Sequence, residues 1–363
     1  MAIHRPDLSD LDPSVREYIE YLEAEIERLT TTGSRRALAS KKAVSLAAGE
    51  PEEEQPLPPL NEPAEPPTTL CLISAAANGL AKRTPRHLYN RQRRGGMGVF
   101  DIDTPKDNPP AILAQADQGQ NLIIITDQAR AFRLPLAAIP ETGVRARGES
   151  FAGRLSLSED ERIACILPDQ VQGYIALLSQ SGMARLLRHH VFGEYMKPGT
   201  VLYDFHAFGP LSSACWTSGN GDLFIAAQSG KAIRFVEKSL PPQGGPGIRL
   251  GVGDRAVAIT SIDEESNVFL LAADGRGTIR SMSSFLANKA PGAGGKVAMA
   301  TENLVAAAAV LPGDDLVILS RQSKIIRFSA DDIPIKDSVV QGVNSMALRG
   351  DVAVAALVCP PKV

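Results

Sequence analysis

Six short apolar segments recur along the chain, each followed by a basic residue eleven positions after its start: Cys71 with Lys82, Leu122 with Arg133, Tyr174 with Arg185, Leu223 with Arg234, Phe269 with Arg280 and Leu316 with Arg327. The starts lie 46 to 52 residues apart, the range in which internal similarity marks a propeller or a solenoid array. No other property of the sequence narrows the fold as far.

Within a repeat, an apolar run such as Leu122-Ile123-Ile124-Ile125 meets a polar turn, and a second run such as Lys231-Ala232-Ile233-Arg234-Phe235 carries the basic residue. This is the pattern of a β-hairpin with Gly, Asn, Asp or Ser at its tip. Pro- and Gly-rich stretches then lead to further strand-like runs, for example Arg255-Ala256-Val257-Ala258-Ile259-Thr260. Four strands per repeat make one propeller blade. A lone blade cannot bury both of its faces, so blades pack in a ring, and closure protects the sheet edges. The expected fold is therefore all-β, a six-bladed β-propeller over residues 70–363.

Composition fits that reading. The chain has 363 residues and 44% hydrophobic content but only 5% aromatics, so Leu, Ile, Val and Ala must fill the core. No apolar run approaches the roughly 18 residues needed to span a bilayer. Met1 to Asp10 lacks the basic start and apolar stretch of a secretory signal, so a cytoplasmic protein without a membrane partner is expected. Cys71, Cys165, Cys215 and Cys359 are scattered singly in apolar surroundings and read as buried free thiols.

Charge is segregated. Residues 1–69 hold 7 Lys+Arg against 14 Asp+Glu, whereas residues 70–363 hold 31 against 27. The stretch from Leu70 to Phe100 contains Lys82, Arg83, Arg86, Arg91, Arg93 and Arg94 and no acid. Such a block is an anion-binding candidate, or a solvated charged face.

Ahead of the repeats, Val15, Ile19, Leu22, Ile26 and Leu29 follow the 4-3-4-3 spacing of a coiled-coil seam, with a capping box at Ser14 and Glu17. Residues 1–32 are expected to form an amphipathic helix that either pairs two chains into a homodimer or lies on another surface. Residues 33–69, rich in Pro and Glu, cannot bury a core and read as a flexible linker.

The basic block ends in Gln92-Arg93-Arg94-Gly95-Gly96-Met97-Gly98. This resembles the Gln-Arg-Arg-Gly-Gly-Lys-Gly box that marks the carboxy-terminal domain of the DNA gyrase A subunit, matching at six of seven positions. Asn78-Gly79-Leu80-Ala81-Lys82-Arg83-Thr84 is similar to that family's strand-turn-strand opening, and Ala138-Ile139-Pro140 with Arg145-Ala146-Arg147-Gly148 to its blade connector. The resemblance covers the repeats, most clearly the first two. It implies a six-bladed β-pinwheel around whose rim double-stranded DNA is bent and wrapped without catalysis, and an association with DNA gyrase or a topoisomerase. The 69 residues ahead of the repeats are too few for a cleavage-tyrosine domain, a metal-carboxylate domain or an ATPase, so no enzyme is expected.

The chemistry of the box is physical. Guanidinium forks bind phosphate oxygens in pairs, and glycines let backbone N–H groups approach closely. Phosphate contacts carry no base code, so binding should respond to sequence only through duplex bendability. The expected DNA-binding residues are Lys82, Arg83, Arg86, Arg91, Gln92, Arg93, Arg94, Gly95, Gly96, Gly98, Arg133, Arg145 and Arg147. Met97 replaces the family's lysine, and the absence of one phosphate contact should make the salt dependence shallower by about one unit. Later connectors keep glycines but few cations, so grip should concentrate on the first two or three blades. The six repeated basic residues face outward to a bent duplex, or pair with acids to fix blade register.

Other signals point to no cofactor. Pro291 to Val297 lacks the leading glycine and trailing hydroxyl of a phosphate loop. His189 and His190 are adjacent, so on a strand they point to opposite faces. Asp101 and Asp103 balance charge or fix the loop after the box. An alternative reading keeps the wheel but not the DNA: a propeller serving as a protein-interaction scaffold.

Overall fold

The computed structural model describes residues 64–170 and 172–361. The helix expected over 1–32, with Val15, Ile19, Leu22, Ile26 and Leu29, and the expected linker as far as residue 63 lie outside the described residues. The described chain is an all-β wheel of six blades, as the repeats predict.

From rim to centre, blade 1 runs Glu149–Ser150, Leu80–Pro85, Leu70–Ala76 and Pro110–Asp117, and blade 2 runs Thr200–Val201, Arg130–Pro135, Asn121–Thr126 and Ile163–Pro168. Blade 3 has Gly245–Pro246, Met183–Arg188, Tyr174–Ser179 and Leu211–Thr217; blade 4 has Lys296–Val297, Lys231–Val236, Asp222–Ala227 and Ala256–Ile262. Blade 5 comprises Val343–Asn344 with Ile335–Lys336, then Arg276–Arg280, Asn267–Ala272 and Leu304–Val310. Blade 6 comprises Val99–Phe100, Lys324–Ser329, Asp315–Ser320 and Ala353–Cys359. The six innermost strands surround a central channel of about 1120 Å³ lined largely by small residues, among them Ala114, Ser213 and Ala307.

The strands that begin each hairpin are buried on both faces, which is why they read as continuous apolar runs rather than alternating ones. Leu122 through Ile125, for instance, are all fully buried. Every hairpin closes with an N–H to C=O bond across its tip, such as Gly79 N–H to Ala76 at 3.0 Å and Ser323 N–H to Ser320 at 3.1 Å. The tip residue is left-handed in all six: Gly79, Ala129, Gly182, Gly230, Gly275 and Ser323.

Two features correct the sequence reading. A blade is not one contiguous repeat, because its rim strand comes from the following repeat: Glu149–Ser150 of blade 1 lies beyond the hairpin of blade 2. Blade 6 takes Val99–Phe100 from the first repeat, and that pairing closes the ring. These rim strands are two residues long, too short to show a period.

The second correction concerns register. Four residues past each tip stand Arg83, Arg133, Leu186, Arg234, Ile279 and Arg327. Lys82, Arg185 and Arg280 are therefore one position out of line with the others. On a strand, one position turns the side chain to the other face.

Apolar clusters fill the gaps between neighbouring blades. The cluster between blades 1 and 2 contains sixteen buried residues, including Ile73, Ile124, Phe132 and Phe151. The cluster at the seam between blades 6 and 1 contains six: Leu72, Tyr89, Val317, Leu319, Ile325 and Cys359. The seam has the least apolar packing and is reinforced by charge.

Candidate nucleic-acid interface

The equivalent arginines of blades 1, 2, 4 and 6 are clasps. Arg133 Nε donates to Asp169 at 2.8 Å, and Arg83 Nη1 pairs with Glu141 at 2.5 Å while its Nε donates to the Ile139 carbonyl at 2.9 Å. Arg234 holds Asp222 at 2.8 Å and the Met282 carbonyl at 2.9 Å, in the turn that opens the next connector. Arg83 and Arg234 thus tie a hairpin to the next blade, whereas Arg133 ties its hairpin to the residue that follows the inner strand of its own blade. Of the six repeated basic residues, Lys82, Arg133, Arg234 and Arg327 pair with acids, and among the last three only Arg327 pairs with an acid outside its own blade, Glu65.

Charge is densest at the seam. Arg327, 5% exposed, pairs with Asp315 and Glu65 at 2.5 Å each, and its Nη1 donates to the Arg86 and Tyr89 carbonyls at 3.2 Å. Arg86 Nη2 reaches the same Glu65 at 2.7 Å, and Arg91 Nε reaches Asp315 at 2.7 Å. Burial pushes the Glu65 carboxyl up, but the hydrogen bonds from Arg86 and Arg327 outweigh it and hold the group below the usual glutamate range. Next to this network, Lys82 Nζ lies 2.6 Å from Asp101, which also accepts from Tyr89 at 2.6 Å and Ser74 at 2.5 Å. Burial lowers the Lys82 pKa, against the attraction of Asp101.

This geometry revises the expected DNA-binding set. Lys82 and Arg86 are 0% and 1% exposed, so neither side chain reaches a ligand on the rim. Arg83, Arg91 and Arg133 are partly exposed, and each has a carboxylate partner. The stretch without acids in sequence is supplied with them in space by Glu65, Asp101, Glu141 and Asp315.

The box itself crosses the seam. Gln92 N–H donates to the Arg327 carbonyl at 2.7 Å and Gly95 N–H to the Ser345 carbonyl at 2.8 Å, while Gly96 N–H turns back to Arg93 at 3.2 Å. Those N–H groups already have partners within the wheel. Arg94 is half-buried and donates to the carbonyls of Asp332 at 2.9 Å and Asn344 at 3.2 Å. Gly98 has φ +69°, and a Cβ there would lie 2.5 Å from the Ile325 carbonyl oxygen, so glycine is required where the chain crosses blade 6. Met97 is 49% exposed.

Three expected cations remain in solvent. Arg93, Arg145 and Arg147 are exposed, and their guanidinium groups make no hydrogen bond or ion pair among the described residues. Arg145 and Arg147 lie in and beside a rim strand, and Arg93 lies in the box, six residues before the strand that edges blade 6. Past the box, Val99–Phe100 edges blade 6, Ile102–Asp103 pairs in parallel with Ala146–Arg147, and Glu149–Ser150 edges blade 1. Asp103 stands opposite Arg147 in that register.

A second group of cations was missed by sequence reasoning. Lys289 Nζ donates to the Gly294 carbonyl at 2.8 Å, Lys296 lies 4.1 Å above the Phe285 ring, and Arg249 runs beside Gly294. The only signal was the Gly-rich connector 291–296, read as a failed phosphate loop. Among the described residues no group of three or more His, Cys, Asp or Glu side chains could hold a metal ion, and no helix is long and apolar enough to cross a membrane.

Residues 72–108, 120–166, 221–263 and 314–360 match the family model of the DNA gyrase C-terminal domain, beta-propeller. The chain is similar to the DNA gyrase A subunit of Staphylococcus epidermidis, 26% identical over 296 residues and covering 78% of this chain and 33% of the relative. It is likewise similar to the DNA gyrase A subunit of Staphylococcus aureus strain MRSA252, 25% identical over 302 residues and covering 78% of this chain and 34% of the relative. The chain thus spans about a third of the length of these relatives. A solved DNA gyrase A C-terminal domain superimposes with TM-score 0.69 at 20% identity, covering 79% of this chain and 98% of its own. The C-terminal domain of DNA topoisomerase IV superimposes with TM-score 0.57 at 17% identity, covering 80% of this chain and 93% of its own. Both share the wheel.

Proposed function

From repeats that match the family model of the DNA gyrase C-terminal domain, we propose that this chain binds double-stranded DNA without reading its bases and bends it around the propeller rim. The observation that carries this reading is the group of Arg93, in the box, with Arg145 and Arg147, in and beside the rim strand Ala146–Arg147, all exposed and without acid partners among the described residues. Guanidinium groups spaced along a convex edge can neutralise successive phosphates of a curved duplex, and such contacts position without specifying. The role is non-catalytic, and an association with DNA gyrase or a topoisomerase fits it. Pairing of two chains through Val15, Ile19, Leu22, Ile26 and Leu29 would add avidity, because the second wheel binds at high effective concentration.

Mobility shift at low salt with two unrelated duplexes of about 100 base pairs, where phosphate contacts are strongest, tests the reading. Equal binding to both is expected; no binding to either rejects it. The neutralised state of Lys82, Arg83, Arg86, Arg91 and Arg133 favours a second reading, a protein-interaction scaffold with little hold on DNA. Under it, partners captured by the chain survive nuclease treatment and the Arg93→Ala change.

A further inference from the structure

Blade 5 breaks the clasp pattern. Ile279 stands four residues past its tip, and the strand position that holds Asp222 in blade 4 and Asp315 in blade 6 holds the neutral Asn267. The arginine of this blade, Arg280, is one residue further along and so turns to the opposite face. It is 6% exposed, and its Nε and Nη1 are buried without a hydrogen-bond partner among the described residues. Buried polar groups in folded proteins are almost always satisfied, and an unsatisfied one calls for a missing water or ion; an unpaired buried charge is costlier still.

The turn following Arg280 gathers further cations. Lys296 Nζ donates to the Ser284 carbonyl at 3.3 Å, and Lys289 and Arg249 flank the Gly292–Gly295 stretch that leads to Lys296. Burial, together with the repulsion of Arg280 and Lys289, holds the Lys296 ammonium below the usual lysine range. The acid that acts on Arg280 is Asp337, which makes no ion pair with it. In blade 1 the buried Lys82 and Arg86 each have a carboxylate; here the buried Arg280 has no ion-pair partner among the described residues, and Lys296 with the exposed Lys289 and Arg249 adds further positive charge around the same connector.

We propose that Arg280, Lys296 and Lys289, with Arg249 at the edge, form a phosphate-binding site at the junction of blades 4 and 5. A phosphate oxyanion supplies what Arg280 lacks, because its oxygens accept from a guanidinium fork in pairs and from ammonium groups as point charges. The phosphate comes either from a duplex backbone, giving the wheel a second arc of contact far from the box, or from a free phosphate compound. Only the duplex source rests on the DNA-binding reading.

Thermal unfolding of the full chain in phosphate and in chloride, at equal ionic strength, tests the site. Phosphate also stabilises proteins by exclusion from their surface, so the quantity read is the excess over variants. The wild type should gain more from inorganic phosphate than Arg280→Met, and more than Lys289→Gln/Lys296→Gln, whose side chains can change without emptying the core. An equal gain in all three proteins overturns the site. Hydroxyl-radical footprinting on a long duplex then separates the sources. If the double lysine variant loses protection over a tract that Arg93→Ala retains, the ligand is DNA; if the footprint is unchanged while the phosphate excess is lost, the site stands and the ligand is a free phosphate. Should the wild type bind no duplex, the DNA reading fails while the unfolding measurement still decides the site.

Discussion

Phe100 lies opposite Lys324 in antiparallel register, so the first repeat supplies the rim strand of the last blade and the wheel is sealed by its own connector. The residue that admits this crossing is Gly98, left-handed at φ +69° with the Ile325 carbonyl oxygen 2.5 Å from where a Cβ would stand.

Replacing Gly98 with alanine should therefore act on closure. Left-handed backbone alone costs a non-glycine residue about 1–2 kcal/mol, and the clash with Ile325 adds to it. A lowered urea midpoint is expected, together with faster amide exchange at Phe100 and Ile325 than elsewhere. Unchanged exchange at those amides would show that the crossing tolerates a side chain.

Acid should loosen the seam through Glu65. Its pKa in the folded chain lies below the ordinary value of 4.5 because of Arg86 and Arg327. The unfolded chain then binds more protons, so the stability this group contributes is complete above about pH 4.5 and is lost as pH falls through the folded value. Glu65→Gln should be less stable than wild type at neutral pH, and the two should converge in denaturant midpoint as the solution is acidified. Parallel curves down to strong acid would place the acid sensitivity elsewhere.

The rim arginines and the clasp arginines should separate cleanly. Changing Arg93, Arg145 and Arg147 to alanine leaves the denaturation midpoint unchanged, since exposed side chains without partners contribute little to folding. It should reduce the slope of log affinity against log salt by roughly 0.9 for each phosphate no longer neutralised. Arg133→Ala should do the reverse, lowering stability by leaving Asp169 only its contact with His189 while leaving most of the slope. Fluorescence titrations at several salt concentrations give both numbers.

Met97→Lys restores the cation that the box has in the gyrase A family at an exposed position. DNA affinity at low salt should rise and the salt slope steepen by about one unit, with no change in stability. An unaltered slope would mean that the side chain at 97 does not meet a phosphate.

The wheel was legible because strands buried on both faces leave continuous apolar runs, and six such runs at near-constant spacing admit few folds. What could not be read was pairing. The acid-free stretch 70–100 looked like a bare basic face, yet Glu65, Asp101, Glu141 and Asp315 reach it through turns and ring closure. Rim strands of two residues carry no periodicity, so the exchange of strands between repeats left no trace. The unpaired state of Arg280 depends on a one-residue offset and on Asn267 standing where neighbouring blades have Asp, and both emerge only once register is known.

Wrapping is tested most directly by relaxing a closed plasmid with a topoisomerase in the presence of the full chain, removing protein, and reading the linking number. A shift that grows with protein, shrinks with added salt and is reduced by the Arg93, Arg145 and Arg147 alanine substitutions is the expected result. A linking number identical to that of naked plasmid, at protein concentrations that saturate the DNA, would contradict wrapping around the rim.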